Sequence, residues 1–149
     1  MSFFGDLMSG SAQKKASNYN ASLLERNAKL EEQQAEREYQ IYEQYDLPRF
    51  NYFANRQQST IKNQLAGSGV EIGSGTALDI VIENKNMIDN DRDMMAYNAE
   101  IAKDRKLNEA VMSRASANVE RFRGRVAKRA SYFKAASSLL TDASRIGAI

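Results

Sequence analysis

The chain has 149 residues, 42% of them apolar, a formal charge of +2, and neither cysteine nor histidine. The missing thiols exclude disulfides, thiolate nucleophiles and thiolate metal sites, and the missing imidazoles remove the commonest general base and metal ligand. Alanine supplies 20 of the apolar residues and Leu, Ile, Val and Phe together only 30, which suits narrow apolar seams on long helices better than a thick globular core.

Residues 1–11 place Phe3, Phe4, Leu7 and Met8 among Gly and Ser. They read as a flexible apolar N-terminus, either a frayed end or a small anchor for a partner or a membrane surface. The segment lacks the basic start and long apolar run of a secretory signal, so export by that route is not expected. Helical periodicity begins near Ala12, with Ser11 as N-cap. Ala12, Ala16, Tyr19, Leu23, Leu30, Ile41 and Tyr45 follow the i, i+3, i+4, i+7 pattern and predict the inward stripe of a first helix over 12–66. Pro48 lacks an N–H and clashes with the preceding turn, which predicts a kink near Asp46 and Leu47. The pattern resumes through Phe50, Phe53, Ala54, Ile61 and Leu65. Tyr39, Tyr42, Tyr45 and Tyr52 have the spacing to pack against a second helix; the other use of such a cluster is a stacking platform for bases.

Four glycines, Gly67, Gly69, Gly73 and Gly75, fall in a connector over 67–76. No strand precedes them and no Gly-Lys-Ser/Thr follows, so a phosphate-cradling loop is not expected. The structural reading has Gly67 ending the first helix in the left-handed conformation, Val70 and Ile72 tucking between the helices, and Ser74 or Thr76 capping the second.

The second helix is predicted over 77–146, a stretch without proline. Its first half repeats apolar pairs every seven residues, Ile80-Val81, Met87-Ile88, Met94-Met95 and Ile101-Ala102, the period of a coiled coil. Asn84, Asp91 and Asn98 repeat in the same period and are either polar layers fixing register or ordinary surface. Beyond Asn108 the stripe continues as Val111, Ala115, Val119, Phe122, Val126 and Ala130, then Phe133, Ala136, Leu140 and Ala143, amid many Ala, Ser and Gly. Gly124 inside this helix costs about 1 kcal/mol relative to Ala, which predicts a close contact or a kink.

Charge is unevenly spread: residues 76–104 hold three basic and seven acidic side chains, and residues 105–149 ten and three. Arg121, Arg123, Arg125, Lys128, Arg129 and Lys134 lie together with Phe122, Tyr132 and Phe133. Such a basic amphipathic helix is either a solvated face or a surface for phosphates, anionic headgroups or an acidic partner, including residues 79–104 of a neighbouring copy. No acidic cluster has calcium-loop spacing, and no serine has an imidazole to activate it.

The run from Ala66-Gly67-Ser68-Gly69-Val70 through Gly73-Ser74-Gly75-Thr76 to Ile80-Val81, followed by Tyr97-Asn98-Ala99 and an Ala-rich helix, resembles the small internal virion proteins of short-tailed bacteriophages. The resemblance implies a protein held in the capsid core near the portal, ejected with the genome and contributing to a conduit across the host envelope. It implies other core or portal proteins as partners, with host envelope lipid and phage DNA as further contacts. The short chain and Pro48 depart from that pattern.

The expected fold is therefore all-α: an elongated antiparallel hairpin of two long helices, oligomeric, with Ile80, Val81, Met87, Ile88, Met94, Met95 and Ile101 in its seam. The expected role is structural, with no cofactor, no metal and no catalysis. The alternatives are a virion adaptor without a membrane role and a basic-helix nucleic-acid-binding protein.

Overall fold

A computed structural model of the chain describes residues 3–146, and every one of these except 68–74 is helical. The elements are α1 (Phe3–Ile41), a π-helical turn (Tyr42–Asp46), α2 (Leu47–Gly67) and α3 (Gly75–Ile146). Leu139 and residues 141–146 are described by backbone alone, as are Phe3 and Phe4.

Helix α1 starts at Phe3, not near Ala12, so residues 3–11 are a first helical segment and Ser11 is no cap. Asp6 explains part of this shift. A carboxylate in the first turn favours the positive end of the helix dipole, and here it also meets Lys134 at 3.4 Å while only 8% exposed.

The expected interruption at Pro48 is a π turn placed one step earlier. The Leu47 N–H donates to the Tyr42 carbonyl, five residues back, and Pro48 then occupies the first turn of α2, where its missing N–H is no loss. The extra residue in the turn shifts the carbonyl that the ring would strike, and the backbone stays helical through Leu47 (φ −65°, ψ −46°).

At the connector the left-handed residue is Gly69 (φ 77°) and not Gly67, which stays inside α2. The Ser68 N–H reaches the Gln64 and Leu65 carbonyls and the Gly69 N–H reaches Ala66, so the last carbonyls of α2 are satisfied two residues later than expected. Gly75 takes φ 59° where α3 begins, and Gly73 needs no such angle. Ser74 hydrogen-bonds the Glu71 carboxylate at 3.4 Å. Ile72 is half-buried, but Val70 is 48% exposed and does not tuck in.

The chain forms two compact units, Met1–Glu32 with Leu107–Ile149, and Gln33–Lys106. In the first, contacts pair Asp6 with Lys134, Glu25 with Arg121 at 2.6 Å, and Glu32 with Arg114 at 2.6 Å. Partner numbers rise on one side as they fall on the other, so the two segments run antiparallel within this unit. In the second, Glu36 meets Lys103 at 3.5 Å, Asn51 accepts from Arg92 at 3.1 Å and Asn84 accepts from Gln57 at 3.4 Å, again in opposite order.

The core of the first unit is made of small side chains. Ala21, Ala28, Ala110 and Ala117 are fully buried; Gly124 and Ser131 continue the α3 line at steps of seven, and buried Gly10 lies eleven residues before Ala21 on α1. A Cβ added at Gly124 would sit 2.9 Å from the Ser17 Cβ and 3.4 Å from the Lys14 Cα. Gly124 therefore marks a close approach of backbones, and α3 passes through it unbroken. At Gly10 the fit is tighter, with a new Cβ falling onto the Ser131 side chain. Gly10→Ala is expected to lower unfolding stability by about 1–3 kcal/mol despite its better helix propensity. Ser131→Gly in the same chain should recover most of that loss in urea melts.

The second unit buries Ala35, Ala54, Ala77, Ile88 and Tyr42. Burial and the neighbouring Tyr39 and Glu43 push the Tyr42 hydroxyl pKa above its ordinary 10.0. The sign follows directly: the folded value exceeds the unfolded one, so stability is fully present below pH 10 and is lost as pH rises through the folded value. Tyr42→Phe is expected to flatten that alkaline fall, read from melting temperature between about pH 9 and 11.

Candidate interaction surface

The seven-residue periodicity of the sequence is present, but the inward phase differs from expectation. In the second unit each apolar pair splits. Val81, Ile88 and Met95 turn inward with Ala102, whereas Ile80, Met87, Met94 and Ile101 are 42%, 61%, 64% and 46% exposed. The single expected seam is thus two lines, one packed and one facing solvent. Asn84 reaches the packed side, where it pairs with Gln57, while Asp91 and Asn98 are exposed. Tyr39 and Tyr42 pack together at 5.9 Å with Lys103 over the Tyr39 ring, but Tyr45 and Tyr52 are exposed, and Tyr52 meets the Phe53 ring of its own helix at 5.6 Å.

The stripes expected to face inward in the first unit face outward. Tyr19, Leu23 and Leu30 of α1 are exposed, as are Ala12 and Ala16, because Ala21 and Ala28 take the packed side. On α3 the correction is larger: Val111, Val119, Phe122, Val126, Phe133 and Leu140 are all exposed, Phe133 by 78%. The physical reason is the size of the side chains. A helix carrying Ala110, Ala117, Gly124 and Ser131 at steps of seven lets the partner backbone come close, and long side chains cannot occupy that gap.

These exposed residues are ordered, not scattered. Met112, Val119, Val126, Phe133 and Leu140 repeat every seven residues, and Ala115, Phe122 and Ala136 fill the intervening three- and four-residue steps. Since 3.5 residues make a turn of a supercoiled helix, this line lies on the side of α3 opposite the Ala110–Ser131 line. Helix α3 thus carries a second coiled-coil seam, broken by Arg129, with no partner among the described residues of the first unit. An open groove of about 370 Å³ lies along its edge, lined by Leu24, Met112, Ala115, Ser116, Val119 and Arg123 with Glu120. Contiguous exposed apolar surface of this kind marks an interaction site.

The six basic residues singled out in the sequence divide. Arg121 pairs with Glu25, Arg123 with Glu120 at 2.7 Å, and Lys134 with Asp6. Lys128 lies 5.7 Å from the Tyr132 ring. Arg125 and Arg129 have no ion-pair partner among the described residues, and both border the exposed seam, three residues from Phe122 and Val126 respectively. Of the N-terminal apolar group, Leu7 is half-buried, Met8 is 73% exposed, and the Phe3 and Phe4 side chains lie outside the described ones.

Among the described residues no cluster of His, Cys, Asp and Glu is arranged to hold a metal ion. No described helix is long and apolar enough to cross a membrane. Comparison with protein-family models, curated proteins and solved structures finds no match for the chain. The second seam was in principle visible in the sequence, because its sevens are as regular as those of the packed line. Its exposure was not.

Proposed function

We propose that this protein is a self-associating structural protein that works as an assembly, folded as an antiparallel hairpin of two long helical arms joined by the glycine connector. The observation that carries this reading is the unpartnered heptad seam on α3, Met112 to Leu140. In solution as a monomer it would leave five large apolar side chains about half or more in water, and burying what each exposes is worth at most about 1.5–3 kcal/mol. Assembly is the way to recover that free energy.

Its role, on the resemblance of its connector and Ala-rich helix to internal virion proteins of short-tailed phages, is storage in the capsid core followed by construction of a conduit for genome delivery. No described helix can cross a bilayer alone, so contact with an envelope requires an oligomer that turns polar faces inward. The exposed Arg125 and Arg129 beside apolar side chains suit an anionic surface. The reading assigns the protein no catalysis.

Light scattering together with co-sedimentation and dye release from anionic liposomes tests this. A defined oligomer that binds vesicles and releases dye is the expected result. An oligomer that ignores vesicles leaves a virion adaptor, and a monomer at every workable concentration overturns self-association itself. Tight DNA binding that falls steeply with salt would instead favour the nucleic-acid reading.

A further inference from the structure

The two exposed seams of α3 differ in the charges beside them. In the first unit, the neighbours of Val119, Phe122, Val126 and Phe133 at three- and four-residue steps are Arg123, Arg125 and Arg129. Most carboxylates of that unit that the structure describes are engaged away from this line: Asp6, Glu25 and Glu32 pair with cations of the facing segment, and Glu31 accepts from Ser113 at 3.0 Å, while Glu109, itself engaged, lies at the Met112 end. Glu120 is held by Arg123. The outer face is therefore apolar and basic.

In the second unit the exposed line is Ile80, Met87, Met94 and Ile101, and its charged neighbours at the same steps are, besides Arg105 at the Ile101 end, the carboxylates Glu83, Asp91 and Asp104. All three are exposed, and none has an ion-pair partner among the described residues. This face is apolar and acidic. Both lines step by seven, so either can receive the knobs of the other, and each supplies the charge the other lacks.

We infer that the basic seam of one copy docks on the acidic seam of a second copy, through Met112 to Phe133 on one side and Ile80 to Ile101 on the other. This rests on the self-association proposed above and names its contacts. The interface is heterologous: each copy offers one seam of each kind, so a docked pair still has one of each free, and growth continues until the assembly closes or extends as a filament. Like seams repel, because Arg meets Arg or carboxylate meets carboxylate across the contact, which fixes the pairing.

Charge exchange tests the pairing. Arg125→Glu with Arg129→Glu makes both seams acidic; Asp91→Lys with Asp104→Lys makes both basic. The altered side chains are exposed, and each double variant should keep the helix content of the parent. Each alone is expected to associate about 100-fold more weakly than the parent, and an equal mixture should recover mass to within about 10-fold, because each variant then meets its opposite. Single cysteines give a direct readout, since the chain has none. Val126→Cys or Phe133→Cys mixed with Met87→Cys or Met94→Cys should form mixed disulfides in preference to either self-pair. If the parent assembles but both double variants assemble equally well, or the mixture fails to recover, the docking is wrong while self-association stands. If the parent itself is monomeric, both fall. If the Arg variant loses only binding to anionic vesicles and retains its mass, the basic seam faces lipid and the proposal is overturned.

Discussion

Replacing Phe122 and Phe133 together by Asp is expected to convert the assembled protein into a monomer with its helix content intact. The two rings are 59% and 78% exposed, so neither contributes much to the packing of its own chain. In an interface each contributes about 1.5–3 kcal/mol, and two lost rings with two charges placed in an apolar contact weaken association by at least about 100-fold. Sedimentation equilibrium measures the mass and far-ultraviolet circular dichroism the helix. A double variant that keeps the parental mass would show that the outward seam of α3 is not the contact. A variant that loses mass and helix together would show that the seam stabilises the monomer, which its exposure argues against.

The opposite face gives the opposite expectation. Ala28→Leu with Ala117→Leu should destabilise the first unit severely, because both methyl groups are fully buried in a seam built for short side chains. Overpacking costs about 1–3 kcal/mol per site, comparable with a large part of the roughly 5–15 kcal/mol that holds a domain folded. The same exchange at Ala12 and Ala16, both exposed, should change stability by no more than about 0.5 kcal/mol. Urea unfolding of the two double variants checks the contrast. Equal stabilities would mean that the helices are not closely packed along the Ala line. The ion pairs beside that line are half exposed, with side chains of Arg114 and Glu32 at 49% and 35%, and pairs of this kind contribute at most about 1 kcal/mol each. Close packing of small residues, not charge, therefore holds the seam.

Much of the architecture was legible residue by residue. Scarce helix breakers predicted long helices, clustered glycines predicted the single connector, and the repeat of apolar pairs from Ile80 to Ile101 predicted coiled-coil packing. Local chemistry was harder to place. Gly67 and Gly69 are equally able to end a helix, and only the hydrogen bonds of Ser68 and Gly69 to α2 carbonyls select Gly69. Pro48 announced an irregularity but not its form, a π turn over Tyr42–Asp46 in which Tyr42 is buried beside Tyr39.

The amino-acid sequence by itself determined the helices, their connector and the presence of two heptad lines on α3, because these follow from backbone propensity and spacing within a short window. Only the tertiary structure decided which line is buried. Hydropathy ranks Val119, Phe122 and Phe133 above Ala110, Ala117 and Gly124, yet packing depends on how closely two backbones approach, and that distance is a property of the pair. At the Gly124–Ser17 contact there is room for no more than a hydrogen. The small residues are therefore enclosed within the chain, and the large ones are left on its outer face.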